Sequence, residues 1–166
     1  MSEKILELTQ YDSLIEENAN AYHIDKDLVK AMCFVESSFD PWKMRYENHT
    51  LKYCITPYEY ASKLNITEET ERVQQMSSWG LLQTCGFLAR EIGFTSNLTK
   101  LLDPVYGLDV GCKHIANLLR KYANEEDAVS SYNQGGPYRD SNTGSYKNFK
   151  YVDKVSAQLR VLRMLK

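Results

Sequence analysis

A chain of 166 residues with 43% hydrophobic and 25% charged residues has the size and make-up of one ordinary globular domain with a real core. Its net charge of -2 argues against a generic nucleic-acid binder, which would carry a basic surplus. The opening Met1-Ser2-Glu3-Lys4-Ile5 lacks the basic-then-apolar pattern of a secretory signal, and no apolar stretch is long enough to enter a bilayer stably.

The pattern is helical almost throughout. Ile5, Leu8, Asp12 and Ile15 alternate with polar positions and imply a first amphipathic helix over about residues 3–20. Asp25 and Asp27 offer N-caps for a second helix that ends near Ser37. Leu28, Ala31, Met32 and Val35 form one apolar stripe on it, and Val29, Cys33 and Glu36 run beside them, so this helix is expected to be mostly buried. Pro41 stops it. Residues 42–56 are mixed aromatic and polar and read as an irregular loop or short turns. Thr56-Pro57 opens a short helix to about Leu64, and Thr67-Glu68-Glu69 opens another with acids in its first turn.

Gly80 is expected to begin the next helix, with Leu81, Leu82, Cys85, Leu88, Ala89 and Ile92 on its apolar side and Gly93 as its C-terminal cap. Asp103-Pro104 starts a long helix through Tyr122. A short helix from Glu125 to about Tyr132 ends at Gly135-Gly136, a polar loop follows, and a last helix covers about residues 148–165. Nothing alternates as a strand and nothing repeats, so the fold class is all-α in a single domain, residues 1–166.

The cysteines Cys33, Cys54, Cys85 and Cys112 form no CxxC pair and stand at no metal-ligand spacing with His23, His49 or His114. Free thiols are expected, with no metal and no cofactor.

Glu36 is the first candidate for chemistry. A carboxyl at the exit of an apolar helix is desolvated, which favours its protonated form. A carboxylic acid still protonated near neutrality is what acid-catalysed cleavage of a sugar linkage needs. Two further segments stand out, Ser77-Ser78-Trp79-Gly80-Leu81-Leu82-Gln83 and Ala128-Val129-Ser130-Ser131-Tyr132-Asn133-Gln134-Gly135-Gly136. Each alone has a bland explanation, as a solvated glutamate, a tight helix start and a helix terminus.

Together, in this order, they resemble the soluble lytic transglycosylase family, whose fold is related to goose-type lysozyme. The blocks are Glu36-Ser37-Ser38-Phe39-Asp40-Pro41, Gly80-Leu81-Leu82-Gln83 and Ser131-Tyr132-Asn133-Gln134-Gly135. Leu102-Asp103-Pro104 with Gly107 and Gly111, and Tyr151-Val152-Asp153-Lys154-Val155, resemble the family's connecting and closing helices, so the likeness spans about residues 22–160. Leu82 stands where the usual residue is methionine, and Gln134 where it is small. The segment between Pro41 and Gly80 is longer than in the commonest members and resembles a phage-associated branch.

The resemblance implies a peptidoglycan lytic transglycosylase. Glu36 would protonate the oxygen joining N-acetylmuramic acid to N-acetylglucosamine. It would then take the proton of the sugar's 6-hydroxyl as that oxygen closes a 1,6-anhydro ring. Gln83, Tyr132 and Asn133 would line the substrate cleft, with Ser37, Ser78 and Tyr46 as further substrate contacts. Tyrosines 46, 132, 138 and 146 fall in segments expected around that cleft, where rings stack on sugar faces.

Two alternatives stay open. Glu47 would make the protein a hydrolytic muramidase if it held a water, since two-carboxylate glycosidases place their second acid about 5–10 Å away. A catalytically idle wall-binding or virion module is the other. The expected partner is the peptidoglycan glycan strand, met as a monomer, without nucleic acid. A lysin of a phage or prophage is the expected setting, made in the bacterial cytoplasm and delivered to the wall by a holin pore or in a virion.

Overall fold

The computed structural model describes residue 5 and residues 7–164. In chain order these form α1 (Asp12–Tyr22), α2 (Lys26–Ser37), β1 (Met44–Tyr46), a 3-10 helix (Asn48–Tyr53), α3 (Pro57–Leu64) and α4 (Glu68–Gln75). There follow β2 (Ser77–Trp79), β3 (Thr84–Cys85), α5 (Gly86–Glu91), a second 3-10 helix (Leu98–Leu102), α6 (Pro104–Lys121), α7 (Glu125–Gln134) and α8 (Phe149–Arg163). The architecture is helical, with one small antiparallel sheet in the order β1-β2-β3.

Most helix starts fall where capping chemistry puts them. Asp25 Oδ1 accepts the Asp27 amide at 2.9 Å, and Thr67 accepts the Thr70 amide at 3.1 Å. Asp103 Oδ1 accepts the Val105 amide at 2.9 Å ahead of Pro104, and Asn124 accepts the Glu126 amide at 2.9 Å. The C-terminus of α7 is closed by Gly135 at φ 81°. α1 begins at Asp12, later than the sequence pattern suggested. Residues 7–11 are not helical, and residues 3, 4 and 6 of that expectation lie outside the described residues.

The chain divides into two compact units, Met1–Val35 with Cys112–Lys166, and Glu36–Gly111. The division falls inside α2 and inside α6. In the first unit α1 is tied to α2 by the Lys30–Asp12 ion pair at 3.0 Å, and α7 packs on α8. α8 buries Val152, Val155 and Leu159, the three-to-four spacing of an amphipathic face. Arg163 near its end reaches Asp25 at 2.8 Å and Glu125 at 2.9 Å.

The second unit is built on Trp79, Ala89, Leu98, Leu101 and Val110, with Ile92, Phe94 and Leu102 packed against them. Gln75 clamps the incoming chain, its side chain accepting the Ile55 amide at 2.6 Å and donating to the Ile55 carbonyl at 2.9 Å. Glu71 on α4 and Arg90 on α5 form a fully buried ion pair, with Nε to Oε1 at 2.8 Å.

The sheet departs from the sequence reading. β1 pairs with β2 as Met44↔Trp79, Arg45↔Ser78 and Tyr46↔Ser77, and β2 pairs with β3 as Ser78↔Cys85 and Trp79↔Thr84. Residues 80–83, expected to open a helix, are instead the turn of the β2–β3 hairpin, closed by the Gln83 amide donating to the Gly80 carbonyl at 3.2 Å. Helix α5 begins six residues later, at Gly86. Leu81 and Leu82 are buried by this turn (1% and 0% exposed), so their apolar spacing mimicked the face of a helix.

Candidate functional site

Glu36 is the penultimate residue of α2 and is half-buried. Beyond it the chain reverses through Ser38 and Phe39, both left-handed at φ 54° and φ 64°. Side chains pay for that conformation with roughly 1–2 kcal/mol per residue, and such strain persists where surrounding bonds over-determine it. Those bonds are present. The Asp40 amide donates to the Ser37 carbonyl at 3.1 Å, and Asp40 Oδ1 accepts the Trp42 amide at 2.9 Å.

Ser37 and Lys43 join this helix end to the hairpin turn. The Ser37 hydroxyl is buried and donates to the Leu81 carbonyl at 2.8 Å. Lys43 Nζ donates to the carbonyl of Glu36 itself, and the Lys43 carbonyl accepts both the Gly80 amide at 2.8 Å and Gln83 Nε2 at 2.9 Å. Gln83 Nε2 also reaches the Gly80 carbonyl at 3.0 Å.

These bonds explain the turn's residue types. Gly80 sits at φ +69°, and a Cβ there would lie 2.3 Å from the Leu101 carbonyl oxygen, so no side chain fits. Gln83 holds φ 48° because its own amide is fastened on both sides. With both amide hydrogens committed, Gln83 offers only Oε1, a buried atom with no protein partner.

Glu47 follows β1 directly. Its Oε1 accepts Arg45 Nε at 2.5 Å and the Ser78 hydroxyl at 3.3 Å, and its side chain is 16% exposed. Strand geometry sets its Cα about 13 Å along the chain from that of Lys43, at ~3.3 Å per residue. Tyr46 is half-exposed, its hydroxyl pointing to Met76 Sδ at 3.9 Å.

Residues 13–154 match the family model described as transglycosylase SLT domain, well over half of the chain. The chain belongs to the transglycosylase SLT domain family. No curated protein and no solved structure matches it. Membership supports peptidoglycan-directed, lytic-transglycosylase-type activity and the lysozyme-like helical fold expected of SLT domains. Action on the cell wall accords with this, and among the described residues no helix is long and apolar enough to cross a membrane.

The third motif of this SLT domain lies in the first unit. Tyr132 is half-buried on α7 and lines an apolar crevice with Leu28, Met32 and Ile115, and its ring meets His114 with centroids 5.1 Å apart. Asn133 accepts Asn148 Nδ2 at 3.0 Å, and Asn148 also bonds the Ser130 hydroxyl and carbonyl. In the structure Asn133 therefore fastens the α7 end to the start of α8.

Tyr146 is not open to stacking on a sugar. It is 7% exposed, its hydroxyl donates to Asp127 at 2.6 Å, and the Arg139 guanidinium covers its ring at 3.9 Å. Burial and then the Asp127 carboxylate push its pKa up to about 12. Tyr138 remains exposed. None of the four cysteines forms a disulfide, and among the described residues no His, Cys, Asp or Glu cluster could hold a metal.

His114 went unremarked in the sequence except as a non-ligand. It is 9% exposed, and burial takes its pKa down to about 4. An imidazole neutral in the fold but free to charge near pH 6.5 when unfolded binds its proton first in the unfolded chain. Its contribution is intact above pH 6.5 and is lost as pH falls to 4, by about 3 kcal/mol. Urea unfolding at pH 7 and pH 4.5 is expected to show a larger acid loss in the parent than in His114→Phe. Equal losses would place His114 in contact with water.

Proposed function

We propose that this SLT domain cleaves the β-1,4 linkage between N-acetylmuramic acid and N-acetylglucosamine without water, leaving 1,6-anhydro ends, and that Glu36 carries both proton transfers. The supporting observation is the fastening of the Glu36 helix end to the Gly80–Gln83 turn by Ser37 and Lys43, inside a chain of this family.

Protonated Glu36 donates to the glycosidic oxygen as the bond to the anomeric carbon breaks. The oxocarbenium charge is met by the sugar's own N-acetyl oxygen. Ionised Glu36 then accepts the proton of the 6-hydroxyl while that oxygen bonds the anomeric carbon. The intramolecular nucleophile outcompetes water because its effective molarity is on the order of 10⁵ M or more when well aligned.

The hydrolytic reading would route a water through Glu47. Its Oε1 accepts Arg45 Nε and the Ser78 hydroxyl, bonds that fix where this carboxylate sits, and Glu47→Gln tests whether it handles a water. The long segment before Gly80 supports placing the protein in a phage-associated branch, as a wall-degrading lysin.

Digestion of purified peptidoglycan followed by mass spectrometry tests the reaction. Products lighter by one water than those of a muramidase are expected. Products that carry the water, formed by the parent and lost in Glu47→Gln, would replace this scheme with the hydrolytic one.

A further inference from the structure

We propose that Lys43 is a positioning residue for Glu36, holding the end of the catalytic helix and the Gly80–Gln83 turn in one register. This rests on the assignment of Glu36 above and adds a residue to it.

The last carbonyls of a helix lack intrahelical donors and carry the negative end of its dipole. An ammonium there is favourable twice, as a donor and as a charge. Here the ammonium comes from seven residues along the chain, and the carbonyl it holds is that of Glu36. The same residue's carbonyl takes both the Gly80 amide and the Gln83 side chain. Lys43 is thus bonded to two of the motifs at once, through different atoms.

The arrangement is more than surface decoration. Lys43 is half-buried, whereas its neighbours Trp42, Met44 and Arg45 are exposed. The stretch it closes contains the strained pair Ser38 and Phe39. A left-handed pair has a downhill escape into ordinary backbone angles, and that relaxation would turn the last residues of α2 and carry the Glu36 carboxyl with them. Ser37 guards the same helix end through Leu81. The fold therefore survives the loss of Lys43, while the aim of Glu36 is set less tightly.

A displaced acid costs transition-state stabilisation and leaves the rest of the glycan bound as before. The penalty should fall on kcat and spare KM, since misplacement by about 1 Å can cost on the order of 100-fold. Arginine keeps a cationic donor at the site and methionine keeps only the stem.

The experiment measures kcat and KM on soluble, uncrosslinked glycan strands, with thermal unfolding alongside. The variants are Lys43→Met, Lys43→Arg, Glu36→Gln and, as a charge-matched control, Lys63→Met at an exposed position of α3. Expected are a kcat at least 10-fold lower in Lys43→Met with KM within 2-fold of the parent, recovery to within about 3-fold in Lys43→Arg, and little change in unfolding temperature. If Glu36→Gln is inactive while Lys43→Met matches the parent, the positioning role is overturned and the function stands. A loss in Lys43→Met that Lys63→Met reproduces, or that Lys43→Arg fails to restore, also overturns it. Full activity in Glu36→Gln overturns the assignment of Glu36 and this inference with it.

Discussion

Glu36→Gln is expected to lower the rate of glycan cleavage at least ~10³-fold while the protein folds as the parent does. General acid–base catalysis by a positioned side chain contributes on the order of 10²–10⁴-fold, and here one group is assigned both the donation and the abstraction. Glutamine keeps the volume and polarity of glutamic acid, so the half-buried end of α2 loses no packing. Two of the bonds that hold this helix end belong to the Glu36 carbonyl and the Ser37 hydroxyl, neither of which the substitution alters. Stability should accordingly change by less than about 1 kcal/mol, in the range of substitutions that leave buried partners in place. Strand cleavage followed by reducing- and anhydro-end analysis, with a urea melt on the same preparation, separates the two effects. An active Glu36→Gln sinks the assignment. An inactive variant whose melt is also shifted by several kcal/mol would mean that Glu36 supports the fold.

The helices were legible because their ends are written in local chemistry. Asp25, Thr67, Asp103 and Asn124 each accept an amide two or three residues on, and Gly135 closes α7. The sheet was not legible. β1 is three residues long and exposed on every one, β2 is buried on every one, and β3 has two residues, so no strand has the length to alternate. Its stability comes from long-range pairing, Met44 with Trp79 for instance, which no local window contains. The hairpin turn was misread because Leu81 and Leu82 are buried by tertiary packing, and their spacing from Cys85 and Leu88 imitates a helical stripe.

The site divides the same way. Glu36 and Gln83 stood out by motif, and the structure shows the turn that holds Gln83. Ser37 and Lys43 act through backbone carbonyls, and a carbonyl leaves no mark in residue type. Ser37 is expected from the resemblance as a substrate contact, yet its hydroxyl is buried against Leu81. Lys43 carried no signal beyond being a lysine two residues after a proline.

Arg90→Met is expected to destabilise the protein by about 3–5 kcal/mol, the cost of stripping the partner from a buried charge. Arg90 and Glu71 are both fully buried, and their fork is bidentate, with Nε to Oε1 at 2.8 Å and Nη2 to Oε2 at 3.0 Å. Arg90 Nη1 donates to the Phe94 and Ser96 carbonyls, both at 2.7 Å, and the Tyr60 ring covers the guanidinium at 4.1 Å. Glu71 also accepts Gln75 Nε2 at 2.9 Å, and Gln75 is the residue that clamps Ile55. Removing the guanidinium leaves a buried carboxylate with one neutral donor and strips Phe94 and Ser96 of theirs. Glu71→Leu in the same chain removes the stranded charge and should recover part of the loss. Recovery should stop short of the parent, because the two carbonyls remain without Arg90 at about 1–3 kcal/mol each where water cannot reach them. The double variant is therefore expected between Arg90→Met and the parent in a urea titration, which makes the two substitutions strongly non-additive. Additive losses would show that Arg90 acts through the loop carbonyls alone. A loss under about 1 kcal/mol in Arg90→Met would show that water reaches the pair.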